Sequence, residues 1–568
     1  MKYFRIGACI CSIVKHNELY KTQRWLSIAC SQRNAGKTEI EITKYQEIQA
    51  FFRNEPDFVA RLNNDFALPF TDINVVFSQL QSENKKDNHL PVAASAPSPL
   101  YKFFKQGLVR KPAIDFKYIC DNPVEVAANF KNRKILDDFC VVKDIIEPYK
   151  RCKLISEEIA KYRMMDAEVR AQLGSISSVD MDVDERKKLQ DQLTKSKTFA
   201  YCIITILSGI KQEVEAMLYS KASLLPNETH QDVPVGETAT LLDVVGEKPK
   251  FDFEIHDHIF IAEKMNFFRQ HNIATLVGKR NYYLMDAGAE LEHALIRYTL
   301  DKLKMKNFIF FSTPNMLRDA IFEGCGLEVD KFDQMVYRVR SVPESNFCLA
   351  GTSELGFCAY FTNHSLSYKD LPLRLCAVST CYRKETGTRL DPRGLFRVHQ
   401  FQKVEMFGLT ANETGKESAD LHAEFVSIQK ELFEELGLHF QVLDMPTDDL
   451  GLPAHRKVDI EAWFPGRGKY DEISSASNCT DFQSRRLNIL YNKGGDYHFA
   501  HTVNATACAT TRMIMALLEN GQQKDRTVLL PECLQPYMYG KRSLRKQKHF
   551  PMKYVGLQQK KKNYVIPT

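Results

Sequence analysis

The chain has no uninterrupted apolar run approaching the ~18 to 20 residues that a membrane-spanning helix requires; its longest candidates, such as Tyr201 to Ile210, are about half that. Its fifteen cysteines include no pair of Cys-x-x-Cys motifs and no Cys/His cluster at zinc spacing. That argues against a disulfide framework and a structural zinc, and fits reduced thiols. His256-Asp257-His258 is a poor metal site, because histidines two apart share a face only on a strand and would still need a third ligand from elsewhere. Acids are scarce in the first forty residues, where Glu18 stands alone before Glu39 among Lys2, Arg5, Lys15, Lys21, Arg24, Arg33 and Lys37. This is the composition of a mitochondrial presequence, with an ordinary basic N terminus as the alternative. Gly36-Lys37-Thr38 mimics the end of a phosphate loop, but Ser31 stands where the first glycine belongs.

What is present suits a multidomain globular protein. The 568 residues allow two to four domains, 44% of them hydrophobic and 26% charged. The net charge of +6 is compatible with a nucleic-acid partner, and the run from Lys541 to Lys562 is dense in Lys and Arg. Such a tail can neutralise RNA phosphates or remain a solvated end. Residues 41–114 carry no functional signal; Ala93 to Pro99 reads as a linker, and domain folding is expected from Asp115. Two long helices are predicted, Lys134 to Leu173 and Asp184 to Leu218, with a loop around Gly174 to Asp182. In the second, Leu189, Leu193, Ala200, Ile203, Leu207, Ile210, Val214 and Met217 form one apolar seam, so an antiparallel helical hairpin follows. Pro148 should kink the first helix.

Two arginine-centred segments carry most of the chemistry. Leu375 to Arg383 reads as a strand, Gly387 to Gly394 as a turn-rich loop and Leu395 to Phe407 as the return strand. Arg383, Arg397 and, further on, Arg512 at the start of an apolar helix are suited to a bent triphosphate, because a guanidinium keeps its charge and presents a planar fork to phosphate oxygens. Phe401 offers a flat face for adenine.

Tyr382-Arg383-Lys384-Glu385 with Arg397-Val398-His399-Gln400-Phe401, and Asn504-Ala505-Thr506 leading to Arg512, resemble motifs 2 and 3 of class II aminoacyl-tRNA synthetases. Gly351-Thr352-Ser353-Glu354, Val404-Glu405-Met406-Phe407, the run from Glu472 to Arg486 and His501 to Thr506 resemble the seryl-tRNA synthetases, the animal mitochondrial type in particular. The resemblance runs from about Asp115 to Tyr539. It implies an α+β fold: a class II antiparallel sheet flanked by helices, preceded by the helical hairpin as a coiled-coil arm. The implied domains are a presequence at 1–40, an unassigned and partly linker region at 41–114, a tRNA-binding arm at 115–228, a catalytic domain at 235–540 and a basic tail at 541–568. Asp286 to Lys306 and Asn307 to Ser312, ending before Pro314, resemble the helix and strand of motif 1 at a dimer interface.

The implied activity is ATP-dependent formation of seryl-adenylate and transfer of serine to the 3′ end of tRNA(Ser), in a homodimer of the mitochondrial matrix with no membrane association. By the same resemblance Arg383 bridges the α-phosphate and the amino-acid carboxylate, and Arg397 and Arg512 hold the γ-phosphate. Glu385 lies near adenine, and Glu472 with Ser475 holds Mg²⁺; no zinc is expected. Arg383, Arg512 and Glu472 are the catalytic set, and Thr352, Glu354, Arg383, Glu405, Asn504 and Thr506 bind serine. A pocket that hydrogen-bonds a hydroxyl rejects alanine strongly, whereas threonine must be excluded by size. Ala505, Lys384 and Ser353 depart from the family pattern without removing a ligand. The alternative is a non-catalytic, RNA-binding paralogue in mitochondria, in which the polar pocket should have eroded.

Overall fold

The computed structural model describes residues 98–135, 138–176, 182–270, 274–327, 329, 336–339, 346–385 and 394–546. The predicted presequence, most of 41–114, the loop from Gly387 to Arg393 and the tail beyond Lys546 lie outside the described residues. The chain divides into a helical unit and a larger sheet-based unit.

Helix α1 begins at Pro99 and runs to Lys105, upstream of the start expected at Asp115, and its first residues, to Tyr101, belong to the helical unit. Its Tyr101 is buried, stacks on Tyr219 with ring centres 5.2 Å apart and donates to Glu215 at 3.2 Å. The two long helices are α2 (Asp138–Ser175) and α3 (Val183–Ala222). Asp182 caps α3 by accepting from the Asp184 N–H, and Asp184 and Glu185 in its first turn suit the positive end of the helix dipole. The helices run antiparallel: Lys221 meets Asp144 at 3.1 Å at one end, and Val169 and Ile176 pack with Leu193 at the other. Pro148 lies inside α2, which continues through it. The predicted seam holds for Leu193, Ala200, Ile203, Leu207 and Val214, all buried. At its C-terminal end it shifts by one: Met217 is 56% exposed and Leu218 takes the core position at 2%, because a 3.6-residue turn drifts against a three-four spacing.

An eight-stranded sheet forms the second unit. Its strands are β1 (Thr240–Val245), β2 (Ile309–Phe311), β3 (Leu373–Tyr382), β4 (Gln400–Thr410), β5 (Phe440–Asp444), β6 (Arg456–Phe464), β7 (Lys469–Thr480) and β8 (His501–Ala509). The spatial order is β1-β5-β6-β7-β8-β4-β3-β2. Every pairing is antiparallel except β2 with β3, so the expected antiparallel sheet is present with one parallel strand added at its edge. The return strand begins at Gln400, not Leu395. The backbone before it is committed elsewhere: the Leu395 N–H meets His258 Nε2 at 3.4 Å and the His399 N–H donates to the Arg280 carbonyl.

Helices α4 (His258–Met265), α5 (Ala287–Met305), α6 (Glu354–Phe361), α7 (Glu417–Glu435) and α8 (Thr510–Asn520) belong to this unit. Met513, Ile514, Met515, Ala516 and Leu518 of α8 are fully buried, each large side chain contributing about 1.5–3 kcal/mol, so Arg512 projects from a rigid base. The strand Ser543–Leu544 pairs with Val528–Leu529, and Leu544 is 1% exposed. Residues 541–546 therefore belong to the folded unit rather than to the basic tail in which the sequence placed them. His256, Asp257 and His258 have structural partners: the His256 ring lies against Phe260, Asp257 caps α4, and His258 meets the buried Glu519.

Candidate active site

Arg383 leaves β3 where the hairpin closes. Its N–H donates to the His399 carbonyl at 3.0 Å, and His399 Nδ1 lies 3.0 Å from the Arg383 carbonyl and 2.9 Å from the Tyr337 hydroxyl. The guanidinium lies 5.3 Å from the centre of the Phe401 ring, a cation–π distance. Glu385 is buried, has φ of 48° and accepts from Arg397 at 3.3 Å. A positive φ at a buried glutamate is a strained backbone of the kind that clusters at functional sites. Arg397 and Arg512, far apart in sequence, converge on Phe396, with guanidinium carbons 5.8 and 4.6 Å from its ring centre.

Arg512 binds both the carboxylate and the carbonyl of Glu472, each at 2.9 Å. Strand alternation alone would put Glu472 and Ser475 on opposite faces. A bulge solves this: Glu461 pairs with Glu472 but Ile460 with Ser474, so Ile473 is extra and the two side chains come round to one side. Burial would raise the Glu472 carboxyl, but the charges of Arg512, Lys457 and Arg383 outweigh it and hold the group below its ordinary range. Burial raises the neighbouring Asp459 carboxyl to about 6; this group pairs with Lys457 at 2.9 Å and bonds the Ser475 side chain. Its Oδ1 is buried with no hydrogen-bond partner. A 40% exposed carboxylate and a hydroxyl on the same face are hard oxygen donors of the kind suited to a divalent cation that shares phosphate oxygens and water, although no cluster of three or more metal-ligating side chains occurs among the described residues.

The predicted serine-binding residues form one polar network. Glu354, at the N-terminal end of α6, accepts from Asn504 at 2.8 Å and Gln483 at 2.6 Å. Thr506 donates to Glu405 at 3.2 Å. Sequence reading missed Lys403, which is 5% exposed, pairs with Glu405 and donates to Thr352 at 3.0 Å and Thr506 at 3.3 Å. The signal was there, since Phe401, Lys403 and Glu405 share one face of β4 by period-two alternation. Gln483, also missed, lies inside the matching run from Glu472 to Arg486. Two carboxylates face one lysine in this network. Burial raises the Glu354 carboxyl to about 7, with the like charge of Glu405 adding to the rise and the Gln483 bond opposing it. When Glu354 is ionised the pocket is short of one positive charge, and Arg383, whose side chain borders Gly351, stands between it and the arginine cleft.

Residues 337–521 match the tRNA synthetase class II core domain (G, H, P, S and T). The chain is 42% identical over 470 residues to the mitochondrial serine–tRNA ligase of Bos taurus, covering 82% of this chain and 90% of that one. It is 36% identical over 433 residues to the serine–tRNA ligase of Treponema denticola, covering 75% and 98%. Among solved structures it is similar to seryl-tRNA synthetase from Pyrococcus horikoshii complexed with ATP, with a TM-score of 0.69, 32% identity and coverage of 77% and 100%. A cytoplasmic serine–tRNA ligase from Naegleria fowleri in complex with AMP gives a TM-score of 0.64 at 27% identity, covering 75% and 96%. With the arginine cleft, the closed polar pocket and the mixed sheet in the same chain, it belongs to the serine–tRNA ligases of the class II aminoacyl-tRNA synthetases.

Proposed function

We infer that this protein activates serine with ATP and attaches it to tRNA(Ser) in mitochondria. The observation that carries the specificity is the pocket of Glu354, Glu405, Lys403, Thr352, Asn504 and Thr506, which lacks one positive charge and bristles with hydroxyl partners. A serine ammonium supplies that charge by engaging the carboxylates, and the serine hydroxyl finds donors and acceptors that alanine would strand. Arg383 borders both the pocket and the cleft, so it can hold the serine carboxylate and the α-phosphate together. A carboxylate oxygen then attacks the α-phosphorus, the bond to the β-phosphate bridging oxygen breaks, and pyrophosphate leaves. Arg397 and Arg512 neutralise the charge that builds on the departing group, with Phe401 placed for adenine and Glu385 close to it.

Glu472 and Ser475 would hold Mg²⁺, which when bound neutralises phosphate charge. The antiparallel pair α2 and α3 supports a coiled-coil arm for tRNA, within a domain spanning 115–228 ahead of the catalytic domain at 235–540. Shape and backbone contacts would dominate that recognition. Exposed Ile309 and Phe310 on edge strand β2, beside α5, support a homodimer built on this edge. The basic, acid-poor first forty residues support import to the matrix. The test is charging of tRNA(Ser) with labelled serine by purified protein. Wild type should charge it, and Arg383→Ala should lose at least about 10²- to 10³-fold in adenylate formation while staying folded; an active Arg383→Ala enzyme would show the arginine to be misassigned.

A further inference from the structure

We propose that Arg467 is a fourth arginine of the triphosphate site and the third at its outer end, binding the β,γ phosphates of ATP and the pyrophosphate they become. The inference rests on ATP being the substrate of the arginine cleft and adds to it a residue on a different element. Arg467 sits in the turn between β6 and β7, remote in sequence from both Arg397 and Arg512. Its guanidinium carbon lies 4.8 Å from the centre of the Phe396 ring, against 4.6 Å for Arg512 and 5.8 Å for Arg397. Three guanidinium groups thus surround one phenylalanine.

The turn that carries Arg467 is fixed from below. The Gly466 N–H donates at 2.9 Å to Glu519, a fully buried carboxylate near the end of α8, the helix that carries Arg512 near its start. A Cβ on Gly466 would lie 2.5 Å from the His256 carbonyl oxygen, so the turn has no slack there. The same Glu519 accepts from the His258 N–H at 3.0 Å, and His258 in turn meets the Leu395 N–H beside Phe396. Arg467, Arg512 and the ring between them therefore share one buried anchor.

Among the described residues each arginine has a single carboxylate partner: Arg397 with Glu385 at 3.3 Å, Arg512 with Glu472 at 2.9 Å and Arg467 with Asp471 at 2.8 Å. A guanidinium has five N–H donors, so none of the three is saturated by its partner. Like charges this close repel unless a polyanion joins them, and the tail of a triphosphate is an anion of the right size and planarity of contact. Arg467 is 27% exposed, between Arg512 at 13% and Arg397 at 38%, so a phosphate arriving from solvent can reach its guanidinium.

The test compares equilibrium binding of ATP, pyrophosphate and AMP to the full-length wild type, Arg467→Gln and Arg467→Lys by calorimetry in magnesium buffer. Arg467→Gln should weaken ATP and pyrophosphate about tenfold or more and leave AMP within about twofold, since AMP lacks the β and γ phosphates. Arg467→Lys should fall between, keeping the charge without the fork. Unchanged ATP affinity in Arg467→Gln overturns the proposal, as does an equal loss for AMP, which would mean the residue serves the fold. Serine-dependent ATP–pyrophosphate exchange by the wild type is measured separately; its absence would count against the ligase function while the binding comparison still decides the role of Arg467.

Discussion

Replacing Lys403 by methionine removes the cation that pairs with Glu405 among the described residues; the lysine is 5% exposed and the glutamate, at 2%, is buried more deeply still. Breaking a buried ion pair from one side costs about 3–5 kcal/mol, because the remaining charge keeps its desolvation penalty and loses its partner. The variant can escape by protonating the orphaned carboxylate, and that route caps the loss. Protonating an ordinary glutamate costs about 3.7 kcal/mol at pH 7 but only about 1 kcal/mol at pH 5. The destabilisation of Lys403→Met should therefore fall from about 3–4 kcal/mol at pH 7 to about 1 kcal/mol at pH 5. At about 2 °C per kcal/mol for a unit of this size, thermal midpoints should drop by about 6–8 °C and about 2 °C. Lys403→Met/Glu405→Gln should recover most of the loss at pH 7, since a neutral amide has no charge to strand. An equal drop at both pH values, or no recovery in the double variant, would refute the claim that the lysine acts by neutralising Glu405.

Other outcomes follow from the same geometry. With the Glu354 carboxyl raised from 4.5 to about 7, its ionised form is lost as pH falls, so the KM for serine should rise below pH 7. Glu354→Gln should give a high KM that no longer varies with pH in this range. The raised value also means that the native state holds this proton more tightly than the unfolded chain. Its stabilising contribution is full below pH 4.5 and gone above about pH 7, so wild type should lose thermal stability relative to Glu354→Gln across that window. Ending the chain after Lys546 should preserve the thermal midpoint and adenylate formation but weaken tRNA charging, with equal charging at moderate salt refuting a role for the tail. Ending it after Gly540 should lower the midpoint, because Leu544 and its pairing with Val528 are lost.

The hairpin that carries Arg383 and Arg397 was readable because its strands alternate and its loop is rich in glycine, proline and charge. Its return strand was placed five residues too early, since nothing local in Leu395 to His399 announces that His258 and Arg280 occupy their backbone donors. Glu472 and Ser475 could be named through resemblance but not oriented, as the bulge at Ile473 exists only in the pairing of β7 with β6. Lys403 was legible by alternation and overlooked. Arg467 was not legible, because its meeting with Phe396 depends on how the β6–β7 turn sits on Glu519. The parallel edge strand β2 is likewise a product of topology, decided by a chain connection rather than by the residues Ile309 to Phe311.

The measurement that bears most directly on the function is ATP–pyrophosphate exchange by the purified protein with serine, threonine, alanine and cysteine in parallel. The pocket of Glu354, Glu405, Lys403 and Thr506 predicts strong exchange with serine and exchange with alanine lower by ~10⁴ or more. Absence of exchange with all four amino acids, from a folded protein that still binds ATP, would contradict it and leave an RNA-binding relative of the ligases in its place.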